Sequence, residues 1–487
     1  MHFLAAALTL LVTATFAQAQ TVVPREFLGT WASPGFRAAP PPLGAPEIEL
    51  PYAELDKKIG DFLQPWAFAA HDALEWNTDD TGQVCKPTGI FRQGHGTGSF
   101  NFRFVEVGPG KLYQIWGPFD QRGVQRIYFD APRPPDVPLT WNGDSRGRLE
   151  RGDTLYVETR QFNGKSWLSS DRWPHTEELR VIERYRLFGG GEYMQLRVFV
   201  DDRRALKAPY TYTRYYRKAA DAAEGDESVC NQNPPDDDLW ASRRKELLDE
   251  YEARLSAIVE KYADERLPAG PTGDAKAAAV PRTTTASNDA ARLHGLAGVY
   301  QPVTPGTPLP QGLKAAGAPA EIELLPAAAA VAKARDLAWD PAKHCAVIGP
   351  FRMMARADTR FEIVATDNRL TMLFENVALG NKREVFLSRA GHPETVTSSY
   401  LGDSVGKWDG STLIIDTIGF NESTWLNERG APHSDGLRLV ERFRPVGNGR
   451  YLEYRVTAED PKTLARAYTY TRYFERSNDD LREQWCE

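Results

Sequence analysis

Apolar and polar residues alternate with a period of two along Thr412–Thr417, Leu437–Phe443, Tyr451–Val456 and Tyr468–Phe474. That is the pattern of half-buried strands, and turn signals such as Gly447-Asn448-Gly449 and Glu459-Asp460-Pro461 separate them. The series recurs in the first half of the chain, with Gly189-Gly190-Gly191 at the matching hairpin. Regularly spaced strands in units of this length predict an all-β fold. The expected architecture is two tandem antiparallel β-barrels, closed to remove their edges. The rhythm changes over 238–266, where Leu247, Leu248, Tyr251, Leu255, Ile258, Val259 and Tyr262 fall at helical spacing. This predicts one amphipathic helix, packed on a barrel or offered to a partner.

The tandem arrangement rests on self-similarity. Tyr210-Thr211-Tyr212-Thr213-Arg214-Tyr215 returns as Tyr468-Thr469-Tyr470-Thr471-Arg472-Tyr473, and from Thr154 to Tyr215 the copies run at a constant offset of 258 residues. The units are placed at 25–233 and 291–487. Residues 267–290, rich in Ala, Thr, Pro and Gly without periodicity, read as a flexible linker. Residues 1–19 read as a signal peptide: an apolar run from Phe3 to Phe16, then Ala17-Gln18-Ala19 with its small-x-small cleavage pattern. The run is shorter than the ~20 residues a spanning helix needs. A periplasmic or secreted protein is expected, with no membrane insertion after signal removal.

The chain of 487 residues has a formal charge of −7 and no Lys/Arg block, which argues against nucleic acid as partner. Its four cysteines obey the copy rule, so Cys85–Cys230 and Cys345–Cys486 are the expected disulfides, each closing its own unit in an oxidising compartment. A metal site is the weaker alternative, because these single cysteines lack ligands at zinc spacing. No phosphate loop, dinucleotide fingerprint or His-Glu-x-x-His motif occurs, so no cofactor and no metal are expected. Gly402-Asp403-Ser404-x-Gly406 superficially suggests a nucleophilic serine. It precedes a strand instead of sitting on a strand-to-helix elbow, and a tight turn accounts for it.

Phe27-Leu28-Gly29-Thr30-Trp31 and Leu296-Ala297-Gly298-Val299-Tyr300, one opening each unit, resemble the Gly-x-Trp opening of lipocalin-type barrels. The second unit also resembles a family of secreted bacterial proteins. The likeness runs through Gly402-Asp403-Ser404, Trp408, Asp416, Phe420-Asn421, Thr424-Trp425-Leu426, Pro432-His433-Ser434-Asp435, Leu437 to Arg444, and Trp485-Cys486-Glu487. It implies export and no particular reaction. The first unit departs from the pattern, with Gln161 for the glycine before Phe-Asn and Thr176-Glu177 for Ser-Asp.

Of eight histidines, only His175 and His433 are copied at matching positions, each after Pro and before a strand. Either histidine would serve as an acid–base group at a barrel mouth, or as a structural residue bonded to backbone. Strand parity puts Glu183 and Glu441 on apolar faces, where a carboxylate must be paired or protonated. Asp416 and Glu158 lie within similarly apolar strands, and Arg214 and Arg472 share faces with Tyr210/Tyr212 and Tyr468/Tyr470. A buried Arg–Glu network fixing register is the structural alternative.

The leading expectation is binding of a small apolar or aromatic molecule, with Tyr468, Tyr470, Tyr212, His175, Glu183 and Arg214 among its contacts. The rival is a cofactor-independent lyase or isomerase in the second unit. There His433 would transfer the proton, Glu441 or Asp416 would raise its pKa, and Arg472 would hold a ligand oxygen. A third reading is a structural envelope protein. The sequence leaves the oligomeric state open.

Overall fold

The computed structural model describes residues 23–32, 59–74, 87–90, 101–108, 110–116, 123–129, 131–169, 173–219, 292–293, 295–303, 309, 313, 321–344, 346–375 and 382–483. The signal peptide, the 238–266 helix, the linker and all four cysteines lie outside these residues.

The first barrel is built from β1 (Gly29–Ala32), β2 (Phe102–Glu106), β3 (Lys111–Trp116), β4 (Val124–Phe129), β5 (Asp144–Glu150), β6 (Thr154–Arg160), β7 (Arg180–Phe188), β8 (Tyr193–Asp201) and β9 (Tyr210–Lys218). The second repeats it with β10 (Gly298–Pro302), β11 (Phe361–Thr366), β12 (Arg369–Phe374), β13 (Lys382–Phe386), β14 (Asp403–Asp409), β15 (Thr412–Ile418), β16 (Arg438–Val446), β17 (Tyr451–Glu459) and β18 (Tyr468–Ser477). Both are closed: β1 pairs with β9, and β10 with β18. Strand order follows chain order. One expectation needs correction. Each barrel contains a parallel pair, β4 with β5 and β13 with β14, because the chain crosses back, over 131–143 and 387–402 among the described residues, instead of turning in a hairpin.

Close approaches of the two neighbouring strands account for the glycines of the Gly-Asp-Ser-x-Gly motif. Gly143 and Gly402 both have φ +71°, and a Cβ there would come within 2.6 Å of the Arg160 carbonyl and 2.8 Å of the Ile418 carbonyl. Gly147 and Gly406 lie where the parallel partner approaches: a Cβ would meet the Ile127 methyl at 2.6 Å and the Leu387 methyl at 2.6 Å. The first glycine is thus required by the antiparallel neighbour β6 or β15, and the second by the parallel neighbour β4 or β13.

Barrel interiors are filled by side chains of alternating strand positions, including Trp31, Phe104, Leu155, Val181 and Tyr185 in the first and Tyr300, Ile363, Leu413, Leu439 and Tyr454 in the second. The barrels dock through the outer faces of β2–β4 and β10–β13. Val105, Val107, Tyr113, Ile115 and Val124 of one pack with Val299, Val364, Leu373 and Leu481 of the other. Polar contacts frame this patch. Tyr113 donates to Glu362 at 3.1 Å and Arg103 to Thr371 at 2.8 Å. Lys111 pairs with Asp480, to which Tyr128 also donates. Cross-strand registers make Arg103 and Glu362 equivalent positions, and likewise Tyr113 and Thr371. Each of the two equivalent positions therefore meets the other across the interface, the reciprocity of a two-fold axis.

Candidate functional site

Three groups of residues were candidates for chemistry, and the structure separates them. Glu441 and Glu183 do point inward, as parity predicts, and both are fully buried. In the second barrel Arg383 on β13 grips Glu441 through both terminal nitrogens, one of them at 2.9 Å to Oε1. Its remaining donors reach Ser404 at 3.3 Å and Thr417 at 2.8 Å, and Tyr454 donates to the same carboxylate at 3.0 Å. In the first barrel Gln125 takes the place of Arg383. Its amide lies 2.8 Å from Glu183 Oε2 and within reach of Ser145 and Thr159, while Tyr185 donates to Glu183 Oε1 at 2.6 Å. Burial, and next the adjacent glutamate, push the phenols of Tyr185 and Tyr454 well above their ordinary range, which keeps both as donors. Sequence reading found the glutamates but missed Arg383 and Gln125. β13 opens with three consecutive charges, Lys382-Arg383-Glu384, so only the shared parity of Arg383 with Val385 marks it as inward.

His433 and His175 belong elsewhere. His433 Nδ1 lies 3.1 Å from the Ser434 carbonyl, which only accepts, so that nitrogen carries the proton. Nε2 then accepts from the Thr424 hydroxyl at 2.6 Å. His175 repeats this with the Thr176 carbonyl at 3.0 Å and Ser166 at 2.8 Å. The same hydroxyls abut Gly89 and Gly349, where a Cβ would approach Ser166 to 2.5 Å and Thr424 to 3.0 Å. Each histidine therefore ties the loop before β7 or β16 to the segment beginning at Gly89 or Gly349. Burial lowers both imidazole pKa values, outweighing the raising effects of the backbone carbonyl and of Asp202 or Asp460. This corrects the expected upward shift.

The proton-transfer group drawn from the sequence is not assembled. Asp416 faces outward, half-buried, bonded by both oxygens to Arg438 at 2.8 Å, which together with Arg438's charge holds its carboxyl below the usual range against the opposing effect of burial. Its apolar neighbours misled the reading, since alternation puts Leu413, Ile415 and Thr417 inside and Asp416 outside. Glu158 is likewise on the outer face, paired with Arg160 and Arg180. Arg472 keeps inward parity but donates to the Ala355 carbonyl, and Arg214 is its half-buried equivalent on β9.

The residues that do surround open space are Tyr468 and Tyr470. They line a cavity of about 660 Å³ at the mouth of the second barrel. The helix Pro326–Ala334 with the preceding Ile322 and Leu324 forms one wall, the helix Gly349–Ala355 the floor, and the loop 426–431 the other wall. Phe351 packs edge-on against Tyr470 (5.1 Å between centroids) and Tyr468 (6.0 Å). The Tyr470 hydroxyl is spent on the Phe351 carbonyl at 2.7 Å, so the ring presents its apolar face. Arg352 is neutralised by a buried pair with Asp340, 2.6 Å on its Nη1 side. At the rim Arg429 pairs with Glu321 and Arg356 with Asp358. The equivalent Tyr210 and Tyr212 in the first barrel are buried, with rings 6.4 Å apart. Among the described residues, no group of three or more His, Cys, Asp and Glu is set to hold a metal ion.

No family model matches the sequence, and no curated protein matches it. Among solved structures, a secretary abundant heat soluble (SAHS) protein from Ramazzottius varieornatus aligns over 24% of this chain and 71% of its own at 14% identity, with a TM-score of 0.16. At that TM-score the likeness carries no argument.

Proposed function

We propose that the second barrel binds a small apolar or aromatic molecule in the cavity at its mouth, and that it does so outside the cytoplasm. The observation that carries this reading is the cavity itself. About 660 Å³ lies within the range typical of small-molecule pockets, and its lining joins three aromatic rings to aliphatic side chains. The cationic lining residues Arg352, Arg356 and Arg429 each have an acidic partner, so no lining cation is left to demand an anionic ligand. Export rests on the leader-like pattern of residues 1–19. Burying ~200 Å² of apolar ligand surface would contribute about 5 kcal/mol at ~25 cal/mol per Å², which points to weak to micromolar binding once lost freedom is deducted.

The test is calorimetric titration of the full chain with small aromatic alcohols, beside Ala355→Trp, which fills the cavity floor. Saturable binding of one molecule per chain that Ala355→Trp removes is the expected result. Binding unchanged in Ala355→Trp would overturn the assignment to this cavity.

A further inference from the structure

The two barrels are copies, yet the space that is open in the second is occupied in the first by the protein's own side chains. Leu168 N–H bonds to the Trp173 carbonyl at 2.8 Å, and Leu426 N–H bonds to the Ala431 carbonyl at 2.8 Å. These matching bonds make Trp173 and Ala431 equivalent. The helices Pro65–Ala73 and Pro326–Ala334 are anchored alike, by the bridges Leu63–Leu206 and Leu324–Leu464. That anchoring matches His71 to Ala332 and Gly60 to Glu321. In the first barrel the Trp173 indole stacks on the His71 imidazole, with centroids 3.9 Å apart and planes 15° from parallel. The far edge of the indole lies over Gly60, where a Cβ would sit 3.3 Å from it. In the second barrel Ala431, Ala332 and Glu321 all line the open cavity.

We infer that Trp173 is a built-in occupant of the first barrel's mouth, and that the ligand of the second is a planar bicyclic aromatic molecule taking the place the indole fills. The inference rests on the pocket proposed above and adds the chemical class. Two methyl groups in the second barrel stand where an indole and an imidazole stack in the first, so the vacated space has the shape of a flat ring system between two walls. Among its other lining residues, Tyr468, Tyr470 and Phe351 are themselves aromatic, and ring contacts favour a planar guest over a puckered one of equal area. The first barrel's mouth, filled by Trp173, takes no such ligand.

The experiment compares 2-naphthol with its saturated counterpart, decahydro-2-naphthol, by calorimetry on the full chain. The wild type should bind one 2-naphthol and bind the saturated bicycle about threefold to tenfold more weakly. Ala431→Trp with Ala332→His should abolish that site while leaving the melting transition in place. His71→Ala with Trp173→Ala should raise the stoichiometry to two. Should that variant unfold, the second-barrel pair still decides, because it replaces two alanines and removes no large packed side chain. Equal affinity for the two bicycles, or preference for the saturated one, overturns the aromatic class while leaving the pocket standing. An unchanged site in Ala431→Trp/Ala332→His, or a stoichiometry fixed at one in a folded Trp173→Ala/His71→Ala chain, overturns the equivalence of the two mouths. Absence of binding by either bicycle to the wild type overturns both the inference and the pocket.

Discussion

Gln161 and Gly419 hold equivalent places after β6 and β15, and both adopt the left-handed backbone, with φ of 65° and 76°. The departure visible in the sequence therefore changed the side chain and kept the conformation. The difference lies in the surroundings: a Cβ at Gly419 would come within 2.3 Å of the Val396 methyl. Gly419→Ala should accordingly lower stability by about 2–4 kcal/mol, combining left-handed strain with overpacking, as read by urea unfolding. The histidines make a second residue-scale prediction. Burial depresses the pKa of His175 and His433 in the fold, so below the unfolded value near ~6.5 the unfolded chain takes up protons that the native one refuses. Stability is full above that value and falls as pH drops through it toward the folded values. Melting temperatures measured from pH 7.5 to 5 should fall, and the fall should be shallower in His433→Gln. An unaltered slope in that variant would show that His433 is not the group responsible. The position of the copied histidines was readable from the chain, but their pKa direction was not. It depended on which atoms the loop brought to each nitrogen, and those are a neighbouring carbonyl and a hydroxyl nine residues upstream.

At the scale of strands, the interior glutamate is served by a tyrosine in both barrels, but from opposite members of one cross-strand pair. Tyr185 faces Leu196 in the first, and Phe443 faces Tyr454 in the second. The hydroxyl has kept its place at the carboxylate while changing strands. With Arg383 replaced by Gln125 and Met372 by Gln114, whose side-chain amide lies 3.0 Å from the Tyr185 hydroxyl, each barrel holds a self-consistent set. Arg383→Gln alone should cost about 3–5 kcal/mol, because it strands a buried carboxylate. Adding Met372→Gln, Phe443→Tyr and Tyr454→Leu should recover most of that loss in denaturant unfolding. If the four changes together cost as much as the single one, the sets are not interchangeable. The last four strands of each barrel, their order and the inward parity of Glu183 and Glu441 were legible in the alternation of residues. The parallel pairs were not, since hydrophobic period does not distinguish a hairpin from a crossover. Nor was the cavity, which arises from two alanines that look unremarkable until they are set against Trp173 and His71.

At the scale of the whole molecule, the interface carries its own pH dependence. Burial raises the carboxyl pKa of Glu362, against the lowering influence of Arg126 and the Tyr113 hydroxyl. A group raised in this way contributes most below its unfolded pKa, and the contribution is lost as pH rises through the folded value. Glu362→Gln should therefore stabilise the docked barrels at neutral pH and flatten the pH dependence across that window. Differential scanning calorimetry checks this. A variant no more stable than the wild type at pH 7, with its pH profile intact, would contradict the assignment.

The reciprocal meeting of Arg103 with Thr371 and of Tyr113 with Glu362 has a consequence for how the halves diverge. In a pair of identical subunits related by a two-fold axis, every substitution happens twice. An arginine at that position would face its own partner's environment in both directions, and a tryptophan closing one mouth would close the other. Joining the halves in one chain makes their association intramolecular, so docking no longer depends on concentration. It also lifts the requirement that the two be alike. Opposite charges at Arg103 and Glu362 are one outcome of that release. A mouth sealed by Trp173 beside one left open by Ala431 is another: a duplicated scaffold in which one copy is free to be only a support while the other keeps its doorway.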